Sequence, residues 1–237
     1  KFPLDQIDEM VKANRKIGLG VMGWADLLYQ LNIPYSSDQA VNLAGELMEF
    51  IDFEAKQRSV ELAEEKGSFP NFPGSIYSTR HLSRKTKLKD WDALGKDIAE
   101  KGIRNATLTT IAPTGTISMI LDTSSGIEPQ FSLVYVKNVM DGDKLLYVNK
   151  WFRRALEEAG LHSQELLEKV AQAGSIADIE EIPAAIRDIF LTAHDISPEW
   201  HIRMQAAFQQ YTDNAVSKTI NFPNSATVED IRIAYEL

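Results

Sequence analysis

The sequence contains no cysteine and only four histidines among 237 residues. Without a thiol, the chain forms no disulfide, no thiolate zinc site and no iron–sulfur cluster of its own. It also has no apolar run of the roughly 18 residues that a membrane-spanning helix needs, and no signal-like apolar segment follows its basic first residue. These absences argue against a disulfide-stabilised domain and against a membrane protein, so we expect a cytoplasmic location.

Basic residues are outnumbered, since 25 Lys and Arg stand against 34 Asp and Glu, for a net charge of −9. A nucleic-acid polymer needs a basic face that replaces its counterions, so such a polymer is not an expected partner. A small anionic ligand stays open, because a local nest of backbone N–H groups binds phosphate even in an acidic protein. The hydrophobic content of 44% is ordinary for a globular chain with a sizeable core.

Hydrophobic spacing and capping residues predict an α/β chain in which helices outweigh strands. Short β-branched runs predict the strands, and the strongly charged stretch 80–105 predicts an exposed surface. The predicted helices cover residues 7–15, 24–31, 38–66, 150–159, 163–173, 183–191 and 198–215, with a last helix opening at a capping box on Thr227. The predicted strands cover residues 107–111, 117–121, 131–136 and 218–222, with a turn at 141–143.

A glycine-rich segment, Gly18-x-Gly20-x-x-Gly23, matches the letters of the dinucleotide-binding fingerprint. That fingerprint requires a buried strand immediately before it, but residues 12–16 are too polar for a central parallel strand. Asp38 lies at about the spacing of the ribose-binding acid, although it follows a proline turn and not a second strand. Glycines that permit close packing at the start of a helix explain the segment better than a nicotinamide site does.

A second candidate site, residues 113–118, follows the predicted strand 107–111. A glycine lets a ligand approach the backbone, and neighbouring amides can converge on an anion. Three hydroxyls at near-alternate positions add donors, while the lack of a lysine distinguishes the segment from a Walker loop. From the residues alone, a plain turn is the stronger interpretation. The members of this loop are Pro113, Thr114, Gly115, Thr116, Ile117 and Ser118.

The remaining chemistry-bearing residues predict no further site. His194 and His201 flank a helix start with acids nearby, but their spacing has no standard metal-ligand geometry. His81 and His162 are predicted to lie on the surface, and the four tryptophans are predicted to pack in the core. Adjacent acid pairs point in different directions on a helix, so they form no shared acid–base site. We therefore predict no catalytic residue and no metal ligand in this chain.

Four segments occur in order along the chain, at residues 15–23, 104–118, 122–129 and 211–223, and together they resemble the large catalytic subunit of ribonucleotide reductases. Residues 15–23 resemble the helix-opening segment that the family carries between its catalytic loop and its phosphate loop. Residues 104–118 resemble the substrate phosphate loop, residues 122–129 the turn that follows it, and residues 211–223 a late barrel segment. The Pro-Thr-Gly-Thr-Ile-Ser sequence at 113–118 is typical of the class II, adenosylcobalamin-dependent branch.

This resemblance implies a ten-stranded α/β barrel of two five-stranded halves, with residues 1–237 forming much of the second, helix-rich half. It implies the reduction of ribonucleotides to 2′-deoxyribonucleotides for DNA synthesis, through a cysteine thiyl radical that adenosylcobalamin, a cobalt cofactor, generates. The loop 113–118 would bind the phosphates of a ribonucleoside diphosphate or triphosphate. A thioredoxin-like reductant and a second copy of the chain, in a homodimer, are the implied partners.

Taken together with this resemblance, the absence of cysteine also bears on which part of the enzyme this chain represents. A thiyl-radical enzyme needs cysteine, so we expect the radical cysteine upstream of Lys1 and the reducing pair elsewhere outside the chain. The non-Met start and the cut-off last helix agree with a fragment that is inactive alone. Two alternatives stay open: a nicotinamide-dependent oxidoreductase that uses Gly18, Gly20 and Gly23, and a non-enzymatic helical interaction domain in which residues 113–118 are only a turn.

Overall fold

The computed structural model describes residues 2–79, 82–84, 86, 88–138 and 144–237, with residues 137–138 and 144–145 described by backbone alone. The turn predicted at 141–143 and the predicted surface residue His81 lie outside the described residues. The helices are α1 (Asp5–Asn14), α2 (Trp24–Leu31), α3 (Asp38–Lys66), α4 (Ile76–Thr79), α5 (Trp91–Lys101), α6 (Gly115–Ile120), α7 (Lys150–Glu158), α8 (Gln164–Ala173), α9 (Ala184–Arg187), α10 (Pro198–Gln209) and α11 (Val228–Glu236). The strands are β1 (Val134–Asn138) and β2 (Lys144–Val148).

The chain divides into two compact units, each assembled from separate stretches of sequence. Unit 1 comprises Lys1–Gly20, Leu43–Ala112 and Ala207–Val216. Unit 2 comprises Val21–Asn42, Pro113–Ala206 and Ser217–Leu237. Across the parts of both units that the structure describes, no helix combines the length and the hydropathy that a membrane crossing requires.

Unit 1 contains three extended segments that run parallel to one another. The central segment, residues 107–111, forms one parallel bridge through Thr109 to Leu19 and another through Ile111 to Val216. Leu19 N donates to Leu108 O at 2.7 Å, and Ile111 N donates to Ala215 O at 3.1 Å. The predicted strand 107–111 is therefore extended and correctly placed, but it pairs with its neighbours through isolated bridges and not through a continuous ladder.

Aromatic packing joins the helices of unit 1. Phe53 of α3 meets Trp91 of α5 edge to face, with ring centroids 5.3 Å apart, and Trp91 stacks on Tyr211 at 6.4 Å. Trp91 is 1% exposed. The prediction of an exposed surface over residues 80–105 is thus wrong for α5. The charged residues between its apolar positions obscured an amphipathic helix that Asp90 caps by accepting from Ala93 N at 2.9 Å.

Unit 2 contains an antiparallel hairpin and a helical core. β1 pairs with β2 in a register that places Val134 opposite Val148 and Tyr135 opposite Tyr147. β1 begins three residues later than the predicted strand 131–136, and β2 was not predicted. The buried core beside the hairpin includes Tyr29, stacked on Phe190 with a centroid distance of 4.6 Å; its other members include Leu133, Phe152, Leu156, Leu166, Leu167, Val170, Ile176 and Ile182.

Several helix boundaries are confirmed. α3 follows Ser37, whose Oγ accepts from Ala40 N at 3.1 Å, and Gly67 after its end has a φ of +78°. α11 opens on the predicted capping box of Thr227 and Asp230. α10 begins at the predicted Pro198 but ends at Gln209, six residues before the predicted end. The Gln209 side chain donates to Thr212 O and Asn214 O and accepts from Val216 N, which turns the chain away from the helix.

Two predicted strands are wrong. Residues 117–121 are apolar and partly β-branched, but the chain forms α6 there because Ser118 N donates to Thr114 O at 2.9 Å and closes a helical turn. Residues 218–222 form no strand, because the N–H of Thr219 donates to the Glu128 carboxylate at 2.7 Å instead of to a neighbouring strand. The described residues are thus helix-rich with a small sheet.

Candidate functional site

The loop 113–118 makes the transition from the extended segment 107–111 into α6. Thr114, at the N-cap, has left-handed backbone angles of φ 55° and ψ 18°. The first N–H groups of an α-helix lack helical acceptors and form the positive end of its dipole. Pro113, Gly115 and Thr116 are exposed. The amides that follow Thr114 therefore begin a short helix at an exposed position.

The three hydroxyls of this loop, which were predicted to add donors for a ligand, do not share one environment. Thr116 is exposed, but Ser118 is 1% exposed. The Ser118 Oγ donates to Gly115 O at 3.1 Å and lies 2.7 Å from the Ser125 Oγ. Because residues 115–120 are helical, Ser118 lies one turn beyond Thr114. Its buried hydroxyl stabilises the loop through these internal hydrogen bonds.

The turn 122–129 supports the same loop. The Thr114 Oγ1 accepts a hydrogen bond from Gly126 N at 2.7 Å, and Thr123 N donates to Ser118 O at 3.0 Å. Gly126 has a φ of +46°, in the left-handed region that favours glycine. Two of the four motifs that carry the resemblance are therefore in direct contact within unit 2.

A buried ionic cluster lies behind this turn. The Lys218 side chain is 0% exposed, and its Nζ donates to Glu128 Oε2 at 2.6 Å, to His201 Nδ1 at 2.7 Å and to Thr219 O at 2.5 Å. Burial and the Lys218 ammonium lower the pKa of His201 to about 4. Burial lowers the pKa of Lys218, while the charge of Glu128 opposes that change.

This cluster was not predicted from the sequence. Glu128 and Lys218 each lie inside a motif of the resemblance, but a pairing across 90 positions leaves no local pattern. His201 was considered only as a metal ligand beside His194. The structure places His194 at an exposed position, and both ring nitrogens of His201 are already engaged, at Lys218 and at Ala193 O. In the described parts of the chain, no group of three or more His, Asp or Glu side chains is placed to hold a metal ion.

A cleft of about 200 Å³ opens beside the loop in unit 2. Its polar lining includes Asp26, whose Oδ2 accepts from Ser124 N at 2.9 Å, and Gln130, whose amide donates to Asp26 Oδ1 at 3.3 Å. Ser118 and Ser125 also line it. The volume is below the roughly 300–1,000 Å³ of typical sites for drug-sized ligands, so the cleft suits only a small group.

The glycine-rich segment is used for packing inside the protein. In unit 1, a Cβ on Gly20 would lie 2.1 Å from Thr110 O, and one on Gly18 would lie 2.5 Å from Thr110 Cγ2. In unit 2, Gly23 N donates to Ser124 O at 2.8 Å and Trp24 N donates to Gly126 O at 3.3 Å. These amides open α2 and would face the diphosphate in a dinucleotide site, but protein carbonyls engage them here.

A second ionic cluster, in unit 1, joins α3 to the central extended segment. Lys56 is 1% exposed and pairs with Asp52 and, at 2.8 Å, with Asp213. The Asp213 carboxylate also accepts from Leu108 N at 2.8 Å. Burial raises the pKa of Asp52 against the opposing effect of Lys56. Asp213 lies in the motif 211–223, which therefore contacts the strand that leads into the loop 113–118.

The chain belongs to the ribonucleotide reductase barrel-domain family, whose model matches residues 1–237. Among individual relatives, the chain is similar to the vitamin B12-dependent ribonucleoside-diphosphate reductase of Thermoplasma acidophilum, with 45% identity over 237 residues, which is 100% of this chain and 28% of that protein. It is also similar to the vitamin B12-dependent ribonucleoside-diphosphate reductase of Mycobacterium tuberculosis, with 43% identity over 99% of this chain and 31% of that protein. The chain thus spans about 30% of the length of these relatives.

The fold is also similar to a solved structure, the class Id ribonucleotide reductase alpha subunit of Actinobacillus ureae. The TM-score is 0.78 and the sequence identity is 26%, over 100% of this chain and 40% of that one. This match agrees with the family assignment, and both match the resemblance stated from the four motifs.

Proposed function

We propose that this chain is part of a vitamin B12-dependent ribonucleoside-diphosphate reductase, which reduces ribonucleotides to 2′-deoxyribonucleotides. The observation that carries the proposal is the match of residues 1–237 to the reductase barrel domain, together with relatives of that name at 43% and 45% identity. The class II branch, first indicated by the loop 113–118, agrees with the names of these relatives.

The role proposed for this chain is to bind the substrate diphosphate through residues 113–118. The loop follows the carboxyl end of a parallel extended segment, the position at which α/β folds generally bind ligands. Gly115 has nothing within 4 Å of where a Cβ would lie, so a phosphate could approach its backbone. The amides of residues 115–117 and the Thr116 hydroxyl supply the donors, while Thr114 and Ser118 hold the loop's shape.

The ten-stranded barrel is part of the same proposal. The three parallel segments of unit 1 are the arrangement expected of neighbouring barrel strands, with the motifs 15–23, 104–118 and 211–223 each contributing one. We propose that they belong to the second half of the barrel and that the rest of the protein supplies the other half. The reductant of thioredoxin type, the homodimer and the cytoplasmic location remain predictions.

The chemistry would depend on groups outside this chain. A chain without cysteine supplies no thiyl radical and no reducing thiol pair. Adenosylcobalamin would generate the radical in the complete enzyme, on a cysteine that the resemblance places outside this chain. We therefore assign no residue of this chain to the cofactor and no catalytic residue, and the contribution proposed here is to hold the substrate.

An activity assay on the full-length protein tests the proposed reaction. We expect it to convert ribonucleoside diphosphates to 2′-deoxyribonucleoside diphosphates only when adenosylcobalamin and a dithiol reductant are both supplied. Turnover that continues without the cobalamin would contradict the proposed class, and absence of any deoxynucleotide product under complete conditions would contradict the reaction itself.

A substitution at Gly115 tests the phosphate site in the same protein. Gly115→Leu places a side chain where the phosphate would approach, while the open space around Gly115 lets the fold accept it. We expect the KM for the diphosphate substrate to rise about tenfold or more, with a smaller rise for Gly115→Ala. Gly45→Ala, in α3 and also with open space around it, is the control and should leave KM unchanged. An unchanged KM in Gly115→Leu would remove the phosphate role.

A further inference from the structure

We infer that Lys218, together with Glu128 and His201, is a positioning device that fixes the geometry of the loop 113–118 and so sets the affinity for the substrate phosphates. The inference rests on the proposed phosphate role of that loop. It assigns a function to a buried cluster whose hydrogen bonds join Lys218, Glu128 and His201 to one another and to Thr219. All of its members lie in unit 2.

Lys218 is held in a single position by its three hydrogen bonds. An ammonium group has three N–H donors, and all three are used, on Glu128, His201 and Thr219. Burying an ammonium is costly unless it is paired and fully hydrogen-bonded. With a side chain that is 0% exposed, Lys218 cannot exchange any of these partners for water.

His201 completes the set because it is a neutral acceptor. Its Nε2 lies 3.1 Å from Ala193 O, and since a carbonyl oxygen only accepts, this nitrogen carries the proton. Nδ1 is then unprotonated and accepts from Lys218. A lowered pKa keeps His201 in this neutral form at physiological pH. The neutral tautomer of His201 thus supplies the acceptor for one of the three N–H groups of Lys218, beside the acceptor that Glu128 supplies.

Glu128 transmits this position to the loop. One carboxylate oxygen accepts from Lys218, and the other accepts from Thr219 N at 2.7 Å. Glu128 N donates to Ser125 O at 2.9 Å, which closes the turn 125–128. This turn holds the loop at two points, through Gly126 N to Thr114 Oγ1 and through Ser125 Oγ to Ser118 Oγ, each at 2.7 Å.

The result is a connection from Ala193 O to the N-cap of α6, made of the hydrogen bonds of the cluster, the backbone of the turn 125–128 and the hydrogen bonds from that turn to the loop. Thr114 fixes the direction in which the first amides of α6 point, and a phosphate is bound by the convergence of those amides. The anchor of the turn is the hydrogen bond between the charged groups of Lys218 and Glu128, which is stronger and more directional than a hydrogen bond between neutral groups. Releasing the anchor would let the turn and the loop shift together, and a shift of 1 Å is enough to weaken an oriented contact severely.

Kinetics on the full-length holoenzyme test this inference. We expect Lys218→Met to raise the KM for a ribonucleoside diphosphate about tenfold, with kcat changed by less than about twofold, because phosphate contacts bind ground state and transition state alike. His201→Leu should behave similarly, since it leaves Lys218 without one partner. His201→Asn should restore the affinity, because its amide oxygen offers an acceptor near the position of Nδ1.

A matched control separates positioning from general destabilisation. Lys56→Met removes a buried lysine of the same kind from the cluster of unit 1, whose hydrogen bonds do not contact residues 113–118. We expect it to lower the apparent Tm about as much as Lys218→Met does but to leave KM within about twofold of wild type. An equal rise of KM in both variants would show a merely structural role and would overturn the inference.

Two further results keep the test decisive. If Lys218→Met does not fold, Glu128→Gln makes the same test, since it weakens the anchor with almost no change of shape, and an unchanged KM in that variant overturns the inference. Gly115→Leu reports separately on the site. If Gly115→Leu raises KM and the Lys218 and Glu128 variants do not, the positioning role fails while the phosphate site stands; if Gly115→Leu has no effect, the proposed site itself fails.

Discussion

His201 is fully buried, and it stays neutral at pH values at which an exposed histidine would begin to take up a proton. Its pKa is lowered to about 4 from an ordinary value of 6.5, first by burial and then by the ammonium of Lys218. The unfolded chain therefore takes up a proton at this residue at a higher pH than the folded chain does. The stability that this neutral form contributes is complete above pH 6.5 and is lost as the pH falls towards 4.

We predict that His201→Asn flattens this pH dependence. The variant keeps an acceptor for Lys218 but has no group that titrates in this range. The apparent Tm of the full-length protein, measured by calorimetry between pH 6.5 and 4, should fall less steeply in the variant than in wild type. Because the carboxylates titrate equally in both proteins, the difference between the two slopes isolates His201. Parallel slopes would contradict the assigned protonation state.

The phosphate role of the loop was a prediction from the resemblance, and it stays a prediction. From the residues alone, glycine and hydroxyl groups after a β-branched run were compatible with a phosphate loop, but a plain turn was the stronger interpretation. The same letters could not show that Ser118 faces inward, because that depends on α6 being helical. The partners of Lys218 were beyond sequence reasoning, since ion pairs formed by tertiary folding follow no local spacing.

Among the elements, the three parallel segments of unit 1 depend on the absence of side chains at Gly18 and Gly20. The central segment contacts both neighbours, and the carbonyl oxygen of Thr110 occupies the space where a Cβ on Gly20 would lie, at 2.1 Å. The glycines therefore serve the close approach of two backbones. This explains why a fingerprint-like spacing occurs without the strand and the free amides that a dinucleotide needs.

We predict that Gly20→Ala destabilises the protein by about 2 kcal/mol or more, because backbone atoms must move to admit one methyl group. Denaturant titration of the full-length protein, followed by a probe in this domain, measures the change. Gly45→Ala is the matched control: it adds the same methyl group inside α3, where nothing lies within 4 Å, and should stabilise by up to about 1 kcal/mol. Equal effects of the two substitutions would contradict the close packing.

The elements that the sequence predicted well are those determined locally. α3 and α11 have capping side chains beside them, and both begin where those caps predict. α6 and the segment 218–222 were mispredicted because hydrogen bonds to Thr114 and Glu128 overrode the β-branched composition. α5 was missed because Lys and Asp alternate with its buried residues.

At the scale of the whole molecule, unit 2 exposes large apolar side chains on and beside two of its helices. On and beside α6, Ile117 is 53% exposed, Ile120 75% and Leu121 64%. On and beside α11, Val228 is 85% exposed and Leu237 69%. Exposed apolar side chains that lie close together mark an interaction region, and this chain covers only 28% and 31% of the length of its two named relatives. We propose that other parts of the full-length protein cover these residues.

We predict that residues 1–237, expressed alone, bind a hydrophobic dye such as ANS and self-associate, whereas the full-length protein shows little of either. Dye fluorescence and sedimentation velocity measure the two properties. Replacing Ile120 and Leu121 by serine in the isolated chain should reduce both signals, because both residues are mostly exposed in unit 2. If the isolated chain is monodisperse and does not bind the dye, the proposal that the exposed residues on and beside α6 and α11 are covered in the full-length protein is contradicted.

The role proposed for residues 113–118 is to hold the phosphates of a ribonucleotide. A crystal structure of the full-length protein with a bound ribonucleoside diphosphate tests it most directly. We predict phosphate oxygens within hydrogen-bonding distance, about 2.7–3.2 Å, of the N–H groups of Gly115, Thr116 and Ile117. A diphosphate bound elsewhere, with this loop free of ligand, would contradict it.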